Sequence, residues 1–253
     1  MKEIRYFYVP DAASRQELPA DEATHAVRVL RMKEGDNMVL MDGDGCFYDA
    51  VITLSSNHHC SYRVLSAWRQ EPTWKGCLHI AVAPTKLMDR MEWLAEKATE
   101  IGIDKLTFLD CQFSERRVVK TERIEKIVVA AMKQSRKAWK PRVEGPVAFR
   151  QFIGSHSTGL RFIAHCYNEI PRLNLFDELC QRMNDADFAS NDQQEVIVMI
   201  GPEGDFTVDE VRMAVNAGFV SIDLGKSRLR TETAALAAVM MMQLAQQTIT
   251  RNA

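Results

Sequence analysis

No stretch of the sequence approaches the roughly 18 consecutive apolar residues that a membrane-spanning helix needs. The opening MKEIRYFYVPD also lacks the continuous apolar core of a secretion signal. Cysteine is sparse: the six thiols at 46, 60, 77, 111, 166 and 180 form no Cys-x-x-Cys pair and have no adjacent histidine to complete a zinc set. This spacing argues against a disulfide framework or a metal centre, and predicts free thiols in a reducing cytoplasm. His58, His59 and His79 have no carboxylate or thiol pattern beside them in the chain and read as surface or core residues. The sequence contains neither Gly-x-Gly-x-x-Gly nor Gly-x-x-x-x-Gly-Lys-Ser/Thr, which argues against a dinucleotide fold and a P-loop. Net charge is only −2, so the chain as a whole does not advertise a polyanion partner.

What is present is an ordinary globular composition, 46% hydrophobic and 26% charged, in 253 residues. That length suits one large domain or two modest ones. The small net charge hides a local asymmetry. Between Arg116 and Arg142 there are ten Lys or Arg and only two Glu. Such a segment is either a nucleic-acid footprint or a solvated helix face balanced by acids elsewhere, and charge alone favours neither.

Residues 1–70 read as short strands, RYFYV and NMVLMDGDGCFYDAVITLS, interrupted by turns. MDGDGC lacks the spacing and closing Glu of a calcium loop, so Asp-Gly predicts a hairpin. DEATHAVRVLRMKEGD predicts a short helix with Ala26, Val29 and Leu30 apolar, and with His25, Arg28 and Arg31 on one side. A boundary is expected in WRQEPTWKG (68–76), separating a domain over 1–70 from one over 74–253.

Beyond it, strands and helices alternate. CLHIAVAP, KLTFLD, LRFIAHC, EVIVMIG and FVSIDLG read as strands. DRMEWLAEKATEIG predicts a helix with an Asp89–Glu92 capping box, a stripe at Met91, Leu94, Ala95 and Ala98, and a stop at Gly102. A basic helix is expected over about 121–137. TVDEVRMAVNAG predicts another helix, with a Thr207–Glu210 capping box and a stop at Gly218. TETAALAAVMMMQLAQQTI predicts a long closing helix, capped by Thr231 or Thr233. Its broad small-and-apolar face (Ala234, Ala235, Ala237, Ala238, Met241, Met242) points to a core or a subunit interface. The alternation predicts an α/β fold with a parallel sheet.

Ligands in such sheets sit beyond the carboxyl ends of strands. Three loops qualify: HCYNEIP, GPEGD and GKSRLRTET. Gly201 and Gly204 would let a ligand approach the backbone, and Pro202 stiffens the turn. Arg228 and Arg230 before a helix start could grip phosphate or stabilise an oxyanion, or could pair with Glu232 and other acids.

The pieces IGPEGDF followed by Glu210, LGKSRLRTETAALAAV, EWLAEKATEIGI, KQSRKAWKP and THAVRVLRMKEGD occur in one order over nearly the whole chain. In these the sequence resembles the RsmE family of 16S ribosomal RNA uridine-N3 methyltransferases, in the trefoil-knot (SPOUT) superfamily. The resemblance implies a small PUA-like β-barrel domain followed by a knotted α/β methyltransferase domain. It implies a homodimer with each cofactor site near the dimer interface. S-adenosylmethionine would be surrounded by Ile200, Gly201, Pro202, Glu203 and Gly204, by Leu224, Gly225, Leu229, Thr231 and Ala234, and by His165. Arg230 and Glu232, with Arg228, would stand beside the reacting base. Arg5, His25, Arg28 and Arg31, with Gln134, Ser135 and Arg136, would bind RNA. The chain departs from the family at Asp205, where a second glycine is usual. It departs again at Ser227, where the usual arginine falls one place later as Arg228.

The reaction so implied needs a proton acceptor and positive charge for the anion left on O2 and O4 of the base. The cofactor's sulfonium is electrophilic by itself, so no metal is required. The alternatives are a non-catalytic RNA-binding protein and a knotted methyltransferase acting on another rRNA or tRNA nucleotide.

Overall fold

Apolar and aromatic residues in short runs build the first sheet: Tyr6–Tyr8 (β1), Asn37–Met41 (β2), Cys46–Ser55 (β3) and Cys60–Arg69 (β4), in that order. The computed structural model describes residues 4–56, 58–72, 76–185, 188 and 194–252. Strand β1 runs parallel to β2, whereas β2, β3 and β4 are antiparallel. The β2–β3 connection is the expected hairpin. Asp42 Oδ1 accepts the N–H groups of Asp44 (2.8 Å) and Cys46 (2.9 Å), and Gly43 and Gly45 take φ of 86° and 98°.

The helix expected after β1 departs from a regular one. Ala20–Thr24 (α1) is α-helical, but His25–Val29 continues as a π-turn and Arg31 lies outside at φ 54°. The widened turn breaks the three-residue spacing that would align His25, Arg28 and Arg31 on one side. Ala26 is buried while Val29 is 64% exposed, so the expected apolar stripe is only partial.

By its contacts the chain divides into two compact units. The first is Met1–Thr73 with Val129–Lys140; the second is Trp74–Val128 with Pro141–Ala253. Of the expected boundary region, residues 73–75 lie outside the described residues. The first unit has a core of Phe7, Met38, Leu40, Ile52 and Tyr62 beneath Ala23 and Ala26. In a smaller cluster Met132 and Ala138, from its later segment, pack on Val39, Met41 and Phe47.

The second unit is built on a seven-stranded sheet whose described pairings are all parallel. Its elements are Cys77–Val82 (β5), Met88–Ile101 (α2), Lys105–Asp110 (β6), Thr121–Ser135 (α3, whose end belongs to the first unit), Arg142–Ala148 (β7), Phe149–Ser155 (α4), Leu160–Ala164 (β8), Leu173–Asn174 (β9), Leu175–Met183 (α5), Glu195–Ile200 (β10), Val208–Asn216 (α6), Val220–Asp223 (β11) and Thr231–Asn252 (α7). The strand order is β7-β6-β5-β10-β8-β11-β9. Strands β5 and β10 are near-continuous apolar runs because helices cover both faces. Leu78, Ile80, Val196 and Val198 face a layer made by α2, α5 and α7. Ala81, Ile197 and Met199 face α4 and α6.

Strand β10 inserts between β5 and β8, β11 then pairs beyond β8, and α7 returns to pack on α2, α5, β5 and β10. This non-sequential return is the kind of threading that ordinary α/β sheets avoid. Among the described residues no helix is long and apolar enough to cross a membrane.

Two of the expected helix starts need correction. Helix α2 begins at Met88 after Leu87, which makes no side-chain cap, so Asp89 lies inside the first turn. There it still faces the positive end of the helix dipole. Glu92 turns instead to Arg123, at 2.6 Å. Helix α7 begins at Thr231, and the carbonyl of Arg230 accepts the Ala234 N–H at 2.8 Å, so the cap position is Arg230 rather than either threonine. The Thr207–Glu210 box on α6 forms in full, and Gly102 (φ 120°) and Gly218 (φ 90°) end their helices as expected.

Candidate active site

The carboxyl ends of β8, β10 and β11 open onto a cleft of about 550 Å³, within the few hundred to about 1,000 Å³ usual for a small-molecule site. The three loops singled out in the sequence form its walls.

From the loop after β8 comes His165, only 4% exposed. Its Nδ1 accepts the Tyr167 N–H at 3.3 Å, which puts the ring proton of the neutral imidazole on Nε2. That Nε2 is buried and has no partner among the described residues. Burial lowers the His165 pKa, with Asp205 opposing the shift and Arg172 adding to it, so the ring is neutral at physiological pH. An orphaned N–H donor lining a cleft suits a ligand that brings an acceptor.

The loop after β10 carries Ile200, Gly201, Pro202, Glu203 and Asp205 into the cleft. A Cβ on Gly201 would stand 2.9 Å from the Phe206 nitrogen, so the tight fold of the loop itself demands glycine. Asp205 has φ 67°, a left-handed conformation that glycine adopts without strain. Its carboxylate compensates: Oδ1 accepts from Phe206 N (2.7 Å) and Oδ2 from Cys166 N (2.8 Å), tying this loop to the one after β8. Glu203 Oε1 accepts the Lys86 N–H at 3.0 Å and anchors the other side. Gly204 is not among the residues lining the cleft; a Cβ there would make ordinary contact with Phe113.

The last wall is Leu224, Gly225, Ser227, Arg228, Leu229 and Arg230, followed by Thr231 and Ala234 of α7. Gly225 takes φ 107° and donates its N–H to Asp223 Oδ1 at 2.9 Å. Arg228 and Arg230 are exposed, and neither pairs with an acid among the described residues. The carboxylate that could have neutralised them, Glu232, is 8% exposed and lies outside the lining. Its Oε1 is 3.3 Å from Arg90 Nη1, while its Oε2 is buried without a partner among the described residues. Arg90 itself lines the cleft and went unnoticed in the sequence, although it lies within the DRMEWLAEKATEIG segment, two positions before Glu92.

The residues expected to touch RNA all fall in the other unit. His25 packs edge-on to Phe7 (ring centroids 6.3 Å apart), and the Arg136 guanidinium lies 5.5 Å from the Tyr6 ring, so both contact β1, which Arg5 precedes. Arg28 Nη2 donates to His58 Nε2 at 2.6 Å. Arg5, Arg28, Arg31, Gln134 and Arg136 are exposed, while Ser135 spends its hydroxyl on the Ala131 carbonyl at 2.8 Å. The basic segment therefore divides. Arg117 pairs with Asp110, Arg123 with Glu92 and Lys133 with Glu22, whereas Arg136 and Lys140 lie over Tyr6 and Tyr8.

Comparison with known proteins gives two family matches. Residues 72–243 match the family model of an RNA methyltransferase domain, and residues 18–65 that of an RNA methyltransferase PUA domain. The chain is 30% identical over 235 residues to the ribosomal RNA small subunit methyltransferase E of Rickettsia conorii, covering 91% of this chain and 90% of that one. A Porphyromonas gingivalis crystal structure described as a "probable rRNA-methyltransferase" superposes with a TM-score of 0.85 at 39% identity, covering 97% of this chain and all (100%) of that one. The Neisseria gonorrhoeae ribosomal RNA small subunit methyltransferase E, bound to S-adenosyl methionine, superposes at 0.78 with 26% identity, covering 96% and 98%.

Proposed function

The chain belongs to the RNA methyltransferase family of the ribosomal RNA small subunit methyltransferases E, and we propose that it methylates N3 of a uridine in 16S rRNA. Its fold is then the SPOUT class with a PUA-like first domain. The cofactor is S-adenosylmethionine, which supplies an electrophilic methyl group when bound. The observation that carries the reading is the cleft itself. Three loop ends converge on it, one presents the orphaned His165 N–H, and another presents two exposed arginines.

Backbone groups of Gly201 and Leu224–Leu229 hold the cofactor, and Asp205 fixes the separation between two of the walls. His165 donates to an acceptor on the ligand. Arg230, with Arg228 beside it, stabilises the negative charge that builds on O2 and O4 as the N3 proton leaves. Glu232 is bonded to Arg90 and is screened from the cleft, which supports an orienting role for it rather than that of proton acceptor. Arg90 is then the residue it orients. Arg5, His25, Arg28, Arg31, Gln134, Ser135 and Arg136 engage RNA through the first unit, where base-tolerant phosphate contacts suit exposed arginines. The protein acts as a homodimer in the cytoplasm.

Purified protein supplied with S-adenosylmethionine and unmodified 30S subunits tests the reading. The wild type should methylate one uridine, located by mapping the modified position. Arg230→Ala should lower turnover by about 100-fold or more, as loss of a charge-stabilising donor does, with cofactor affinity little changed. Full turnover in Arg230→Ala would remove it from the reaction. Wild-type protein that binds cofactor and RNA yet leaves the subunits unmethylated would point to the non-catalytic alternative.

A further inference from the structure

At the end of the sheet away from the cleft, the amino ends of β5, β10 and β8 meet the end of α4. Register pairs Cys77 with Glu195 and His79 with Ile197, so His79 and Glu195 share a face two positions apart. His79 is fully buried; its Nδ1 is 3.0 Å from Glu195 Oε1 and its Nε2 is 2.8 Å from Thr107 Oγ1. His156, just past α4, lies with its ring centroid 4.2 Å from that of Phe152. Its Nδ1 is 2.8 Å from the Phe152 carbonyl oxygen, which makes Nδ1 the donor and leaves the lone pair on Nε2. The ligating atoms of His79, His156 and Glu195 all lie within 4.8 Å of one another.

We propose that His79, His156 and Glu195 form a binding site for a divalent ion of the zinc class. Two imidazoles and one carboxylate are the donor set such an ion takes, with the fourth position left to water. Each histidine is already held through its other nitrogen, His79 by the Thr107 hydroxyl and His156 by a backbone carbonyl, and this is how metal-ligating imidazoles are oriented. Binding needs the His79 proton on Nε2, donated to Thr107, so that Nδ1 offers its lone pair. Bonds of roughly 2.0–2.1 Å put tetrahedral donors about 3.4 Å apart, so atoms now within 4.8 Å of one another draw together by up to about 1.4 Å on binding. His79 is fixed in a strand, whereas His156 and Glu195 are part-exposed and supply both the adjustment and the path of entry. The neighbouring cation Lys105 is taken up by Glu144 at 3.0 Å, while Arg161 donates to the His156 carbonyl rather than to its ring. The site is independent of methyl transfer. It would clamp three strand and helix ends together.

Full-length protein stripped with EDTA and titrated with ZnCl₂ should bind one equivalent at this site. With zinc at about 100 times Kd, the unfolding temperature should rise by about 5 °C or more. Cobalt(II) in place of zinc should give the visible bands of a tetrahedral nitrogen and oxygen site, with no thiolate charge-transfer band. His156→Ala and Glu195→Gln change part-exposed residues, and circular dichroism should show both folded. Each should weaken zinc binding by about 100-fold, and Thr107→Val by about 10-fold, the size of outer-shell effects. Failure to bind zinc, unchanged binding in both rim variants, or a thiolate band assigning the ion to the cysteines would each overturn the proposal.

Discussion

Asp205 shows how one residue can depart from a glycine position and still serve the same turn. At φ 67° a side chain costs about 1 kcal/mol or more relative to glycine. The two hydrogen bonds of its carboxylate, to Phe206 N and Cys166 N, offset that cost and tie two walls of the cleft together. The backbone and side-chain contributions can therefore be separated. Asp205→Gly should leave the fold as stable within about 1 kcal/mol but loosen the cleft, weakening S-adenosylmethionine binding several-fold. Asp205→Ala keeps the strain and loses both bonds, so it should be the less stable of the two by about 1 kcal/mol in urea unfolding. If the glycine and alanine variants unfold alike, the strain argument fails.

At the scale of elements, two similar capping signals in the sequence had different outcomes. Thr207 and Glu210 cap α6, and Glu210 Oε1 also accepts the Gln112 N–H (2.8 Å) from the loop after β6. Asp89 and Glu92 have the same spacing but lie inside α2, because Glu92 is drawn to Arg123 and the chain enters the helix at Leu87. The difference is tertiary, and no local pattern contains it. Thr207→Ala should cost about 1 kcal/mol. Glu210→Ala should cost more, since it also strands the Gln112 N–H, and chemical denaturation of the two variants measures the gap. Equal costs would mean that the inter-loop bond adds nothing.

The same contrast explains what else was legible. Strands β5, β6, β8, β10 and β11 announce themselves as apolar runs because both faces are covered. Strand β7, with only part-buried and exposed residues, and the two-residue β9 carry no such signal. In the cleft, the loops rich in glycine and arginine could be picked out, since their chemistry is local. Arg90 beside Glu232, and Glu195 beside His79, could not, because strand order and helix packing bring them together across long stretches of chain.

For the whole molecule, the remaining feature is the outer ridge of α7. Buried Ala235, Ala238, Val239 and Met242 account for its inner face. Met240 and Leu244, one helical turn apart, remain 44% and 45% exposed, which fits a helix that packs against a second copy. A homodimer would need roughly 1,000 Å² or more of such surface, and this ridge is where it would begin. Size-exclusion chromatography with light scattering should find twice the chain mass at micromolar concentration. Leu244→Glu, which would bury a charge at the contact, should shift the population to monomer. Helix α7 also begins in the cleft, through Thr231 and Ala234, so the variant asks a second question. If the monomer still binds S-adenosylmethionine but no longer methylates, the partner completes the substrate site and not the cofactor site. A wild type that is monomeric throughout would leave the α7 ridge without this explanation.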